Sequence, residues 1–215
     1  DLHLSLRRAA SDVYKRQALT WLPRLIAGVR AAYPDLVLEP YVDIGQVLEQ
    51  RVADGELDFA VIAGRSSRAN IASTPIGQAR FAWAASPSVL EGETRMTPAL
   101  LARLPLVTLP AGAGTTRIID DWLAGRESSG ERLCCNNWGA IAGLLIEGTG
   151  VGLLPSHWAE ALQAEGSLRV LHGEPALAAL PYAFQYRRDD TRALVACLRD
   201  AVAAAVDFSA PCRLP

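Results

Sequence analysis

Apolar residues recur with alternating helical and strand spacing from residue 18 onward. Helical spacing predicts an amphipathic helix over 18–33, and a strand pattern follows over 36–42, where Pro40 favours a sheet edge or a bulge. A short helix over 45–53 and an apolar, buried-type strand over 58–64 come next. Helix, strand, helix and strand in this order are typical of a parallel α/β unit.

The same alternation continues to the end of the chain. Further strands are predicted over 81–86, 105–110, 132–135, 150–155, 168–171 and 182–187. Further helices are predicted near 98–103, around 118–123, and over 140–147, 156–164 and 191–206. There is no internal repeat and no low-complexity linker, so the sequence does not predict a series of separate domains joined by linkers.

Composition narrows the class of protein. Half of the 215 residues are apolar and a fifth are charged, which is typical of one large globular domain or two small lobes. We find no apolar run near the ~18 residues of a membrane helix and no signal-peptide pattern, and therefore predict a cytoplasmic protein without a membrane partner. The net charge of −2 and the scattered basic residues predict that this chain alone does not bind DNA.

A glycine-rich segment, Ala-Gly-Ala-Gly-Thr-Thr, lies at 111–116 between a predicted strand and a predicted helix. Arg117 stands where a dinucleotide fingerprint would have its third glycine, and no Walker lysine follows, so a nucleotide site is disfavoured. Two interpretations stay open. The segment is either a plain strand-to-helix turn or an anion site formed by backbone N–H groups at a helix start.

Other polar and aromatic positions have equally ordinary alternatives. Asn136 and Asn137 precede a predicted helix and are N-cap residues by type, although Asn137 is also a candidate ligand contact. Trp138 is a candidate pocket wall or a core residue, and Arg65, after a strand end, is either solvated or placed to bind a carboxylate. The glycine cluster at 147–152 indicates a helix C-cap and tight turn.

We predict no catalytic or metal-binding residues and no cofactor. His3, His157 and His172 have no metal-ligand spacing to one another or to the cysteines, and neither GxSxG nor HExxH occurs. The four cysteines lack CxxC spacing, which favours reduced thiols.

The order of four segments resembles the effector-binding domain of LysR-type transcriptional regulators. These segments are LPRLIAGVRAAYPDLVLEPYV, LEQRVADGELDFAVIAG, PLVTLPAGAG and NNWGAIAGLLIEGTGVGLLP, and the resemblance covers roughly residues 18–208. It implies a type 2 periplasmic-binding-protein-like α/β fold: two Rossmann-like lobes with mixed, mostly parallel sheets and a cleft between them.

The resemblance also implies a division of the chain. Residues 1–79 and 183–208 would form lobe I, residues 80–182 lobe II, and residues 209–215 a tail. Residues 1–17 fit the pattern worst, because RRAASDVYKRQ has no place in a tight strand-to-helix loop, although Leu2, Leu4 and Leu6 alternate like a first strand. We hypothesise that some or all of 1–17 is foreign sequence.

By position in the family's motifs, the resemblance implies an effector pocket. The implied pocket residues are Thr20, Gly64, Arg65, Gly112, Gly114, Thr115, Thr116, Asn137, Trp138 and Pro155. Helix starts facing the pocket favour an anion, so the expected effector is a small carboxylate-bearing molecule. The hydroxyl groups of Thr115 and Thr116 and the amide of Asn137 would hold it.

The function implied is that of a non-enzymatic regulatory domain in a homodimer or tetramer, paired through the face of the helix at 18–33 and the neighbouring strand. DNA would be bound only by an N-terminal helix-turn-helix that this chain lacks. Two alternatives share the fold: a solute-binding protein of a transporter, and a dehydratase-like enzyme using a cleft threonine.

Overall fold

The computed structural model describes residues 9–11, 18–126 and 130–209, and it describes the side chains from residue 21 onward. The chain divides into two compact units. Unit 1 consists of the described residues up to Gln78 and from Pro181 onward, and unit 2 of Ala79–Leu180. No helix among the described residues is long and apolar enough to cross a membrane.

The described elements alternate as the apolar pattern predicts. The strands are β1 (Ala9–Ser11), β2 (Pro40–Val42), β3 (Phe59–Ala63), β4 (Ile71–Ala79), β5 (Phe81–Ala85), β6 (Arg95–Met96), β7 (Leu106–Thr108), β8 (Arg132–Cys134), β9 (Val151–Pro155), β10 (Arg169–Gly173) and β11 (Leu180–Arg187). The helices are α1 (Ala18–Ala32), α2 (Gly45–Ala53), α3 (Pro98–Arg103), α4 (Gly114–Leu123), α5 (Trp138–Ile146), α6 (Ser156–Ala164) and α7 (Ala193–Ala205).

Unit 1 is built on a five-stranded mixed sheet in the order β2-β1-β3-β11-β4. Strand β1 is parallel to β2 and β3, whereas β11 is antiparallel to β3. Helix α2 packs against β3, and α1 packs against α7. One buried cluster joins α2 to the strands through Leu48, Val52, Leu57, Ala60, Ile62 and Ile71.

Unit 2 is built on a six-stranded mixed sheet in the order β6-β10-β5-β9-β7-β8. Strands β8, β7 and β9 are parallel, and β5 runs antiparallel to both β9 and β10. Helix α5 packs on β9 and β7, while α6 packs on β10, β5 and β9. The mixed sheets in both units are of the kind that the resemblance implies.

Several predicted elements coincide with the observed ones, and the differences have local causes. The helices predicted over 45–53 and 156–164 have the observed bounds, and the helix near 98–103 is α3. The strand predicted over 36–42 is wrong in its first half, since β2 begins at Pro40, but β2 does lie at a sheet edge. The predicted turn at 111–116 is wrong in its second half, because α4 already begins at Gly114.

Two strands, β4 and β6, were not predicted from the apolar pattern of the sequence. Both lie at sheet edges, where one side of the strand has no neighbouring strand within its sheet. Strand β4 contains Pro75 and Gly77, two residues that interrupt strand patterns, and an edge position tolerates proline because one row of N–H groups is not needed for pairing.

The N-terminal segment also differs from expectation. Ala9–Ser11 form β1 and occupy the interior of the sheet, between β2 and β3. These three residues of RRAASDVYKRQ therefore form a strand and not a loop, and the origin of residues 1–17 stays a hypothesis. Leu2, Leu4 and Leu6 lie outside the described residues.

Glycines at 150 and 152 set the distance between β9 and β7. A Cβ atom on Gly152 would lie 2.5 Å from the carbonyl oxygen of Val107, and one on Gly150 would overlap the carbonyl oxygen of Pro105. Backbone atoms cannot move aside as a flexible side chain can, because Val151 donates to Pro105 O and β7 is paired on both sides. These glycines are therefore required by close strand packing.

We predict that Gly152→Ala lowers the free energy of unfolding by about 1–3 kcal/mol, the usual cost of overpacking a core. Gly143→Ala is the matched control, because a Cβ there meets nothing within 4 Å and alanine favours a helix. Urea denaturation of both variants checks this. Equal stability of Gly152→Ala and the wild type would contradict the close approach.

An ion cluster joins the start of α7 to the start of β3. The Arg192 guanidinium donates to Asp190 Oδ2 and to Asp58 Oδ1, both at 2.5 Å. The side-chain hydrogen bond from Arg192 is the main reason that the pKa of Asp190 lies below its ordinary value. A lowered carboxyl pKa in the folded state stabilises the fold above the ordinary aspartate pKa of about 4.

We therefore expect Asp190→Asn to destabilise the protein at neutral pH by about 1 kcal/mol, because the Asp190 side chain is 6% exposed but the Arg192 side chain is 41% exposed and partly screened by solvent. The difference from the wild type should vanish as the pH falls through the folded-state pKa of Asp190. Denaturation at a series of pH values measures it. Asp189→Asn is the control, since that side chain is 80% exposed, and a pH-independent Asp190→Asn effect would refute the linkage.

Candidate functional site

The carboxyl ends of β8, β7 and β9 lie at one edge of the sheet in unit 2, because these three strands are parallel neighbours. Helices α4, α5 and α6 follow these strands in the chain, and their first residues therefore lie at that edge. In open α/β sheets this is the edge where ligands bind. Six of the ten predicted pocket residues belong to these helix starts and the turn before α4, and Pro155 ends β9 itself.

The start of α4 has the features of an anion site. Gly112 has a φ of +90°, which glycine adopts without strain, and the turn brings the chain from β7 into the helix. The N-cap, Ala113, has no side chain that can accept a hydrogen bond. The N–H groups of Gly114 and Thr115 therefore have no acceptor in their own helix, at the end where the helix dipole is positive.

The hydroxyl groups of Thr115 and Thr116 differ in their hydrogen bonding. Thr115 is 5% exposed, and its Oγ1 is buried without a hydrogen-bond partner among the described residues. The hydroxyl of Thr116 donates to the carbonyl oxygens of Leu109 and Pro110, each at 3.1 Å. The Thr116 hydroxyl is therefore engaged with the turn before α4, whereas that of Thr115 is not, and Thr115 is the stronger candidate for a ligand contact.

The start of α5 is capped by Asn137, as its residue type predicts. Asn137 Oδ1 accepts from Ala140 N at 3.1 Å, and Asn137 O accepts from Ile141 N at 2.9 Å. The capping bond uses the side-chain oxygen, so the side-chain NH₂ group keeps both of its protons for another partner. The cap and the ligand contact are therefore compatible roles for the same side chain.

Trp138 and Pro155 are core residues in this unit. Trp138 is 5% exposed, and its ring stacks on Phe81 of β5 with 5.9 Å between centroids. Pro155 is buried at the end of β9, where the backbone turns into α6. These two buried residues pack the starts of α5 and α6 against the sheet. A buried residue can do this without touching a ligand.

The remaining three predicted pocket residues belong to unit 1. Thr20 lies in α1, and its side chain is outside the described residues. Gly64 follows β3 with a φ of +83°; its N–H donates to Pro181 O, and its carbonyl oxygen accepts from Gln185 Nε2. Gly64 thus ties the end of β3 to β11.

Arg65 lines a cavity in unit 1 of about 430 Å³. The other residues that line it are Ser66, Ile71, Ala72, Ser73, Thr74 and Arg188. Arg188 anchors the loop between β3 and β4: its Nε donates to Ala69 O and its Nη2 to Ile71 O. Only Arg65 of this group was predicted from the sequence, because β4 lacks the apolar pattern of a strand and Arg188 lies far along the chain.

The described residues also show how the candidate metal ligands and the cysteines are arranged. The described residues contain no group of three His, Cys, Asp or Glu side chains arranged to hold a metal ion. Cys134, Cys135 and Cys197 are free thiols, and Cys212 lies outside the described residues.

Comparison with known proteins agrees with this architecture. The family model of the LysR substrate binding domain matches residues 15–207. A search of curated protein sequences gives no match.

Solved structures share the fold at low sequence identity. The reduced regulatory domain of OxyR2 from Vibrio vulnificus is 17% identical with a TM-score of 0.73, covering 94% of this chain and 96% of that one. The effector binding domain of QuiR in complex with shikimate is 12% identical, with a TM-score of 0.74 and coverage of 94% and 95%. The regulatory domain of CcmR from Synechocystis in complex with 2-PG is 16% identical, with a TM-score of 0.75 and coverage of 93% and 96%.

We predict that Asn137→Ala lowers the free energy of unfolding by about 1 kcal/mol, because the first turn of α5 loses its cap. Asn137→Ser keeps an accepting oxygen and should retain most of the stability. Asn136→Ala is the neighbouring control, since Asn136 is exposed and caps nothing. Equal losses at positions 136 and 137 in thermal denaturation would rule out a specific cap.

Proposed function

The chain belongs to the family of LysR substrate-binding domains, the regulatory effector-binding domains of LysR-type transcriptional regulators, and on this premise we propose that its effector is a small organic acid bound at the starts of α4 and α5. The observation that carries the proposal is the buried Thr115 hydroxyl without a partner, next to the uncapped N–H groups of α4. A buried hydroxyl without a partner costs stability, whereas an oxyanion would accept its hydrogen bond.

The sheet topology places a second donor near the same edge. Thr108 at the end of β7 is in register with Cys134 at the end of β8, and Cys135 N donates to Thr108 O at 2.9 Å. The chains leaving these two strands lead into α4 and α5 respectively. The Asn137 side-chain NH₂ group is therefore our candidate for the second contact with the acid. QuiR, a structural neighbour, is known with shikimate bound, which is such an acid.

We further propose that the domain acts in the cytoplasm without turnover, as one subunit of a homodimer or tetramer. Tyr33 and Val37 follow the end of α1. Their side chains are 40% and 63% exposed, and they are the large apolar side chains left exposed among the described residues. This supports pairing through α1 and the residues that follow it. DNA binding is assigned to another part of the regulator. An effector alters that binding only if it favours one subunit arrangement over another.

A thermal-shift screen with small organic acids, shikimate among them, tests the effector site. Thr115→Val is isosteric and removes the hydroxyl without a partner, so the ligand-free variant should be as stable as the wild type or slightly more stable. Acids that bind at α4 should lose about tenfold in affinity, equivalent to about 1.4 kcal/mol. A purely structural threonine would show the opposite pattern, with lower stability and unchanged affinity.

Two further variants sharpen the screen. Thr149→Val makes the same chemical change at an exposed position in unit 2 and should leave every ligand response unchanged. Asn137→Asp retains an accepting oxygen for the cap while replacing the amide donor with a negative charge, so it should fold and repel acids. If acids raise the melting temperature equally in the wild type, Thr115→Val and Asn137→Asp, the proposed site is wrong.

A further inference from the structure

The cavity lined by Arg65 and Arg188 in unit 1 is lined by groups that donate hydrogen bonds and carry positive charge. No acidic side chain lines it. Arg65 has no hydrogen-bond or ion-pair partner among the described residues, and its side chain is exposed. Nearby carboxylates are engaged elsewhere: Asp189 pairs with Arg187 at 3.2 Å, and Glu49 lies 3.8 Å from Arg68.

The serine hydroxyls of the cavity are oriented by backbone donors. Ser73 Oγ accepts from Ser66 N at 3.1 Å, and Ser66 Oγ accepts from Arg68 N at 3.1 Å. Each hydroxyl oxygen therefore already has a donor, and the hydroxyl protons have no acceptor among the described residues. A hydroxyl whose oxygen accepts from the backbone is well placed to donate its proton to a ligand.

Among the described residues, backbone carbonyl oxygens satisfy part of Arg188 but none of Arg65. The main chain and guanidinium of Arg188 bond to the carbonyl oxygens of Ala69, Asn70 and Ile71. The Nη1 group of Arg188 has no bond among the described residues. Two arginines and two serines thus line a cavity whose other lining residues carry no carboxylate to pair with them.

We propose that this cavity is a second oxyanion site, which takes a small hydrophilic acid through the Arg65 and Arg188 guanidinium groups. Arg65 is thereby assigned to this site instead of the effector site at α4 and α5. The inference does not depend on the proposed function, since every residue that carries it belongs to unit 1. An arginine fork matches the planar oxygens of a carboxylate or phosphate, and the hydroxyl donors fit the same group.

Size and lining restrict the class of ligand. A volume of about 430 Å³ lies near the lower end of small-molecule pockets, which span about 300–1,000 Å³. Only Ile71 and Ala72 contribute apolar side chains, so an aromatic acid would leave its ring without a matching surface. A dicarboxylate or a phosphorylated small molecule fits better.

Calorimetric titration at low ionic strength, in a buffer free of other oxyanions, tests the site with inorganic phosphate, succinate and benzoate. Phosphate or succinate should bind saturably to the wild type, with benzoate weaker. Arg65→Gln should lower the affinity about tenfold without changing the melting temperature of the ligand-free protein, because Arg65 bonds to nothing in the described fold. Thr74→Val, an isosteric loss of one hydroxyl from the cavity, should lower affinity severalfold.

Three controls separate this site from general charge and from the effector site. Arg80→Gln removes the same charge from an exposed arginine of unit 2 and should bind like the wild type. Thr115→Val removes a donor from the α4 site alone, so the component of phosphate or succinate binding that Arg65→Gln weakens should persist in Thr115→Val. Succinamide, the neutral diamide of succinate, should not bind.

The proposal is overturned if neither phosphate nor succinate binds saturably at millimolar concentration, or if Arg65→Gln and Arg80→Gln behave alike. It also fails if succinamide binds as well as succinate. Loss of binding in Thr115→Val with retention in Arg65→Gln would assign the oxyanion to α4, and the cavity would then have no ligand role.

Discussion

The close approach of β9 to β7 is the constraint on which unit 2 depends. Glycine at 150 and 152 is required because the carbonyl oxygens of Pro105 and Val107 occupy the space that a Cβ atom would fill. That contact aligns β8, β7 and β9 as parallel neighbours, and their carboxyl ends then present the starts of α4, α5 and α6 at one edge. Close packing thus accounts for Gly150 and Gly152 in the segment EGTGVGLLP, whereas the candidate ligand contacts lie on the helix starts at the edge of the sheet.

Residues whose polar groups have partners within the fold differ from residues that retain a donor for a ligand. Thr115 and Thr116 are adjacent and equally buried, yet only Thr116 has acceptors for its hydroxyl. Asn137 uses its oxygen for the helix cap and keeps its amide protons. In the unit 1 cavity, the serine oxygens are used and their protons are not. In each case the remaining donor defines what a ligand must supply, which is an oxyanion.

The two units use different means to favour negative charge. At α4 the attraction comes from backbone N–H groups and a helix dipole, which act over the first turn and need no charged side chain. In unit 1 it comes from two arginines, of which Arg188 is held against a loop by carbonyl oxygens and Arg65 has no partner among the described residues. The first arrangement tolerates ligands of many shapes, whereas the second favours the planar oxygens that match an arginine fork.

Local patterns in the sequence determined the helices, most strands and the caps of this protein. Apolar spacing placed α2, α3 and α6, and residue type alone placed the Asn137 cap, because these features depend on neighbours within a few positions. Segment order was sufficient for the family. Edge strands such as β4 were missed because they lack a strong apolar alternation.

Tertiary structure decided which polar groups remain without partners. The sequence cannot distinguish Thr115 from Thr116, since the difference is set by where the carbonyl oxygens of Leu109 and Pro110 lie. Nor does it connect Arg65 with Arg188, which line one cavity because the loop between β3 and β4 folds back along β4 to the end of β11, where Arg188 holds it. Ligand sites depend on unused donors and distant pairings, and both exist only once the chain has folded.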